Sequence, residues 1–458
     1  MHMYNNPNHN NYSHYLAIEG VSMKYTLASL QWMLYILMGS IIIPVSVAAT
    51  FNMDPQSTIE FVSRTLFVLG IAGILQLFFG HGLPIIEGPA GVWWGVFALY
   101  AGIGSVMFGS QTETLRVLEF CFILSGLIFI ILALCGVVDK IAKLFTPTVM
   151  GAYLVLLVMQ LSGIFLKGMM GITTQSSTIN PTVALLSITT IALAYLCLRI
   201  KGLGAYSTLV SIIAGWILFY LFGVANPIIP ADRIIELPTL FPFGTPRIET
   251  GMIINVFLLT ILLLTNLMAS VRVVQIVFKK FELPVKDGLK KTSIISGVIH
   301  LLAGGFGSIG PVPISGSAAF IAQTRFTQKV PFIIGNILII LISLSPIFTS
   351  FFAALPPAVG YAALIPSFGI GTIIIALTQL DAAEDKSIRN LCVAASWFIG
   401  VSVMFLPITA FAGMSPLFSS LLSNGLILGA LTAVVLEQIM LNKKKAAMAQ
   451  VNAVATEK

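Results

Sequence analysis

Residues 302–325 read LAGGFGSIGPVPISGSAAFIAQTR, and this stretch decides the fold. Long apolar segments flank it on both sides, which places it at the depth of a bilayer. Gly304, Gly305, Gly307, Gly310, Pro311 and Pro313 nevertheless keep its first half from staying helical. An unpaired backbone N–H or C=O is costly in hydrocarbon, so non-helical backbone at that depth has to be buried in protein or line a cavity. The break is therefore where a site is expected. Ser315 and Gly316 then open a short helix of small residues, Ser317, Ala318 and Ala319, whose positive N-terminal end faces whatever occupies the break.

The rest of the chain agrees with a membrane location. Of its 458 residues 57% are hydrophobic and 9% charged, with a mean hydropathy of +0.98. A soluble domain carries about a quarter charged residues. The net charge of +7 reads as loops held at the cytoplasmic face rather than as a nucleic-acid surface. Cys121, Cys135, Cys197 and Cys392 sit in apolar runs without metal-type spacing and read as small core residues. His2, His9 and His14 lie in an Asn-rich beginning, residues 1–22, expected to be a disordered cytoplasmic tail that binds no metal. Residues 442–458 are expected to form a basic cytoplasmic tail, with no soluble domain after the last apolar run. No phosphate-cradling loop, zinc-hydrolase pair or Ser/His/Asp arrangement occurs, which excludes an enzyme and implies no cofactor.

Twelve apolar runs are long enough to cross at about 20 residues each. Two more, 83–103 and 308–326, are interrupted by Gly and Pro near their starts. Basic residues choose between twelve and fourteen crossings. Fourteen crossings from a cytoplasmic N-terminus put nineteen of the 24 Lys and Arg inside, including the Arg272–Lys291 and Lys443–Lys445 clusters. Twelve would place one of these clusters outside, against the positive-inside rule. The expectation is thus an all-α polytopic protein of the cell membrane with fourteen segments and both termini cytoplasmic. Seven segments per half make the second half enter from the opposite face, an inverted repeat: residues 23–223, then an outer linker at 224–249, then 250–441. The broken segments are third in each half, a pattern that points to a transporter site at the repeat interface. The Pro-rich linker reads as a connection or a partial lid.

The third segment reads HGLPIIEGPAGVWWGVFALYAG from His81. Pro84 to Glu87 is expected to be extended, with Gly88 and Pro89 as the cap and first-turn pair of a helix. Ile309–Pro313 followed by Ser315–Gly316 is its counterpart. Two short strands arriving from opposite faces then pair antiparallel and leave two half-helix N-termini aimed at one pocket, suited to carbonyl oxygens or an anion. Glu87 is the one carboxylate placed well inside a crossing. It reads either as a coupling group or as a neutral acid bonded to the adjacent helix start. Asn266 reads as a donor and acceptor for a heterocycle edge or as interhelical glue, and Gln31 carries the same two readings. Trp93 and Trp94 either stack on a planar ligand or pack.

These features together resemble a known family. Gln31 in ASLQWM, the Leu-Pro-x-x-x-Gly break LPIIEG ending at Gly88, and the tenth segment with Pro313 and Gly316 resemble the nucleobase–ascorbate transporters, the xanthine/uracil permease family, and within it the bacterial purine permeases. The resemblance implies a core and a gate domain, a substrate pocket formed by the first, third, eighth and tenth segments, and usually cation-coupled import; the coupling cation expected here is a proton. Dimers occur in such a family, though nothing in the sequence locates an interface. The chain departs from the pattern at Trp32, where the family has His, at Asn266, where it has Glu, and at Ile314 and Ile321, where it has Asn and Thr. The substrate-binding set expected is Gln31, Glu87, Gly88, Asn266, Pro313, Ser315 and Gly316, with Glu87 as the coupling carboxylate. The expected cargo is an oxopurine of the xanthine or urate type. A small-anion transporter of the same architecture and an uncoupled nucleobase facilitator are the alternatives.

Overall fold

The computed structural model describes residues 8–456 apart from 173–177, 202, 229, 232, 287, 408–409, 411–413, 415–421 and 423. The chain is mostly helical. Its first half contains α1 (Asn8–Ser40), α2 (Ile42–Thr50), α3 (Pro55–Phe79), strand β1 (Glu87–Pro89) and α4 (Gly91–Phe108). These are followed by α5 (Gln111–Leu134), α6 (Val137–Ala142), α7 (Pro147–Met169), α8 (Pro181–Arg199) and α9 (Ser207–Leu221). The second half contains α10 (Ile253–Lys280), α11 (Leu289–Gly305), strand β2 (Pro311–Pro313), α12 (Gly316–Thr324) and α13 (Lys329–Ser343). Then come α14 (Pro346–Ala353), α15 (Pro357–Leu364), a π-helical turn (Ile365–Gly371), α16 (Thr372–Asp381), α17 (Lys386–Met404) and α18 (Gly425–Thr456).

Among the described residues ten helices are long and apolar enough to cross a membrane, or eleven if α13 and α14, bent by 105°, count as one. The sequence count of fourteen is larger because it includes the segments built from β1 with α4, from α11, and from β2 with α12. Each of these is broken or short. α1 is drawn from Asn8, and residues 1–7 lie outside the described residues. At the other end α18 runs to Thr456, and Lys444 donates to Asp385 at 2.7 Å. That bond, with the backbone N–H of Ile388, holds the Asp385 carboxyl below its ordinary range.

Two groups of helices pack among themselves. In one, α11 lies on α5 and α3, while α13 lies on α1 and α3; in the other, α7 lies against α15, α16, α17 and α18, and α8 against α9. The α5–α11 contact shows why glycine is needed there. A Cβ on Gly126 would stand 2.6 Å from the Gly297 carbonyl oxygen, and a Cβ on Gly297 2.6 Å from that of Gly126. The two backbones touch, and small residues are what permit such contact where lipid gives no hydrophobic drive. Gly297→Ala is expected to cost about 1–3 kcal/mol by overpacking, read as a lowered thermal midpoint in detergent. An unchanged midpoint would mean that the helices are free to separate.

The linker at 224–249 lies across the ends of these helices and contains no helix among its described residues. Its backbone N–H groups at Glu236, Phe241 and Arg247 donate to Leu344, Gly305 and Arg116. Arg116 returns a bond to the Thr245 carbonyl at 2.8 Å, and Glu113 pairs with both Arg116 and Arg247. The connection is thus fastened at several points.

Candidate functional site

β1 and β2 pair antiparallel, with Glu87 opposite Pro313, Gly88 opposite Val312 and Pro89 opposite Pro311. The flanking bonds run from the Ala90 N–H to Gly310 (3.1 Å) and from the Ile314 N–H to Ile86 (2.9 Å). Hydrogen-bonded positions alternate along an antiparallel pair. Pro89, Pro311 and Pro313 therefore fall on positions whose N–H would face away from the partner, where a missing donor costs nothing to the ladder. The Ile86 N–H is satisfied by the Ser317 hydroxyl at 3.1 Å. Two Pro-rich stretches thus satisfy one another at the centre of the molecule. Pairing also shifts one expected boundary: Gly88 and Pro89 belong to the strand, and the cap of α4 is Ala90.

Beside this pair lies a cavity of ≈ 260 Å³ between the two helix groups. One wall is formed by α1, the first residues of α4, the middle of α10, β2 and Ser315; the other by α7, α15 and α18. The starts of α4 and α12 both reach it, through Gly91 and Ser315. Apolar and aromatic side chains dominate, Trp94 and Phe165 among them, and the polar ones are hydroxyls and amides. Among the described residues no charged side chain lines it.

The expected site residues divide in two. Asn266, Pro313 and Ser315 line the cavity. Gln31 does not: it is fully buried, and its amide donates to the Ala205 carbonyl at 2.7 Å, fastening α1 to the turn before α9. One turn later Tyr35 takes the wall position, stacked on Phe320 with ring centroids 4.1 Å apart. Trp32 fills packing space against Phe320 and Phe332. Gly88 and Gly316 are buried framework residues; a Cβ on Gly88 would stand 2.8 Å from Cγ1 of Ile314, so the isoleucine uses the room that the glycine leaves. The two tryptophans separate as well. Trp94 lines the cavity, whereas Trp93 is buried and donates to His300 Nε2 at 3.3 Å.

Glu87 lies behind the strand pair rather than in the cavity wall. It is 2% exposed, and neither carboxyl oxygen has a hydrogen-bond partner among the described residues. His81 Nε2 stands 3.7 Å from its Oε1. His81 Nδ1 accepts from the Leu83 N–H at 3.1 Å, which assigns the ring proton to Nε2, facing the carboxyl. Glu87 is not alone in being buried. Glu119 on α5 is also 2% exposed, with both oxygens unpartnered among the described residues. Cys135, expected in the core, is exposed.

Two residues that the sequence reading passed over add to the polar lining, both on α7. The Tyr153 hydroxyl donates to Asn266 Oδ1 at 2.5 Å, and Ser270 approaches the same oxygen at 3.5 Å. With its oxygen so engaged, Asn266 has its amide nitrogen to offer a ligand. Gln160, two turns beyond Tyr153, lines the same cavity with Oε1 buried and unpartnered. A tyrosine and a glutamine seven residues apart on an otherwise apolar segment were the signal that could have found them.

Comparisons with known proteins bear on this architecture. The model of the xanthine/uracil permeases, described as a permease family, matches residues 23–409. The chain belongs to this family. The permease is 41% identical over 430 residues to YwdJ of Bacillus subtilis, provisionally named a purine permease, covering 92% of this chain and 97% of YwdJ. It is 23% identical over 432 residues to the uric acid permease PucK of the same organism, covering 92% and 97%. The xanthine permease of that organism is 23% identical over 423 residues, covering 89% and 91%. Among solved structures, the transmembrane domain of the cyanobacterium bicarbonate transporter BicA aligns with a TM-score of 0.52 at 15% identity, over 90% of this chain and 97% of that one. SLC26A9 aligns at 0.57 and 13% identity, over 90% and 65%. These two likenesses speak to the fold. The permease is a multi-pass membrane transporter of a small molecule and not an enzyme.

Proposed function

We propose that this permease imports an oxopurine of the xanthine or urate type across the cell membrane, coupled to a cation, most simply a proton. The observation that carries the substrate class is the cavity itself: aromatic and apolar walls, amides and hydroxyls for polar contact, and no charged side chain among the described residues. A planar, carbonyl-bearing ring, neutral as in xanthine or with its charge spread over the ring as in urate, is compatible with such a lining. A small anion would be left without a counter-charge, although two helix starts face the cavity. The relatives named for purines, uric acid and xanthine support the same class.

The reading includes fourteen segments in two inverted halves, with both termini cytoplasmic. Its supports are the ten helices of spanning length together with the four remaining segments, and the antiparallel meeting of β1 and β2 from the two halves. The helix groups on either side of the cavity correspond to a core and a gate. Glu87 is the coupling carboxylate in this account, buried and lacking any bonded partner among the described residues. A homodimer is compatible with it. Uptake of labelled xanthine into cells expressing the chain, competed by urate, hypoxanthine, guanine, uracil and sulfate, tests the substrate class. Competition by oxopurines is expected; competition by sulfate without competition by any purine would overturn it.

A further inference from the structure

The wall that α7 contributes carries chemistry of its own. Tyr153 and Gln160 stand on one face of that helix, and both line the cavity. Tyr153 is committed to Asn266, whose oxygen it holds. Gln160 has its oxygen free: Oε1 is shielded from solvent and accepts no hydrogen bond among the described residues. A bare amide oxygen within an apolar membrane segment is costly, and a ligand N–H directed at it would remove the cost.

The spacing bears on which ligand could do so. Seven residues of helix rise about 10 Å. Asn266, beside Tyr153, presents amide N–H donors near one end of that interval, and Gln160 presents an acceptor near the other. A planar bicycle with a carbonyl on its six-membered ring and an N–H on its five-membered ring can meet both. A single pyrimidine ring reaches only one of them.

We infer that Gln160 is a specificity-determining residue, accepting a hydrogen bond from the imidazole N–H of a purine whose carbonyl is held by Asn266, so that the cavity prefers purines to pyrimidines. The inference rests on the nucleobase reading above. Tyr153 acts as a positioning residue, fixing which face of the Asn266 amide the substrate meets. No proton is transferred and no bond is made in this recognition.

The test compares xanthine, uracil and xanthine methylated on its imidazole ring as substrates or competitors, in the unmodified chain and in Gln160→Met and Gln160→Glu. The unmodified chain is expected to discriminate against uracil and against the methylated xanthine. Gln160→Met, close in volume but without an acceptor, should raise KM for xanthine roughly tenfold, the effect of about one neutral hydrogen bond. Uracil should be unaffected, and Gln160→Glu, which keeps an acceptor, should stay nearer the unmodified value. Equal competition by xanthine and its imidazole-methylated form in the unmodified chain would overturn the inference without any variant being made. An unchanged ratio of xanthine to uracil in Gln160→Met would overturn it while leaving nucleobase transport standing. Uptake of no base at all by the unmodified chain would overturn the substrate class and this inference with it.

Discussion

Glu87→Gln is expected to abolish concentrative uptake while leaving exchange of substrate across the membrane. Glutamine keeps the size of the side chain and its place behind β1, so the strand pair and the cavity should persist. What it removes is the ability to gain and lose a proton. One charge moved across the membrane is worth about 2.3 kcal/mol per 100 mV, enough for roughly fifty-fold accumulation. The variant should therefore fall from accumulation of that order to equilibration. The geometry at His81 sharpens the expectation: with Nδ1 accepting from the Leu83 N–H, the imidazole presents a donor to the carboxyl. Steady-state accumulation ratios measured with and without a protonophore provide the readout. Unchanged accumulation would remove Glu87 from the mechanism.

Asn266→Leu is the second large effect. Leucine is similar in size and has no amide, so the substrate loses a donor and the Tyr153 hydroxyl loses its acceptor. Leaving a buried polar group unpaired adds about 1–3 kcal/mol to the loss of one hydrogen bond. KM for the transported base should rise about thirtyfold or more, about 2 kcal/mol, with the protein still reaching the membrane. Tyr153→Phe should recover part of the affinity in the double variant, because it removes the orphaned hydroxyl. Independent, additive losses in the two single variants would contradict the shared bond.

The parts of this molecule that were legible in the sequence were those dictated by local backbone chemistry. Gly310, Pro311 and Pro313 could not sit in a helix, and the pairing of their stretch with Glu87–Pro89 follows from the need to satisfy backbone groups away from water. Ser315 and Gly316 opened α12 as expected. The exact start of α4 was not legible, because the ladder extends to the Ala90 N–H and keeps Gly88 and Pro89 in the strand. Side-chain roles were harder to read for a different reason. Gln31 and Tyr35 are one helical turn apart, and sequence alone does not say which of them faces a cavity and which fastens α1 to its neighbour. Tyr153 and Gln160 were missed because they come from the opposite helix group and reach the cavity that Asn266 lines only through tertiary packing.

The most direct measurement is xanthine uptake by the purified permease in liposomes, with and without an imposed inward proton gradient. The account predicts saturable uptake that overshoots equilibrium when the gradient is present and only equilibrates when it is absent. Failure to take up any purine under either condition, with transport of sulfate or bicarbonate by the same liposomes, would contradict it.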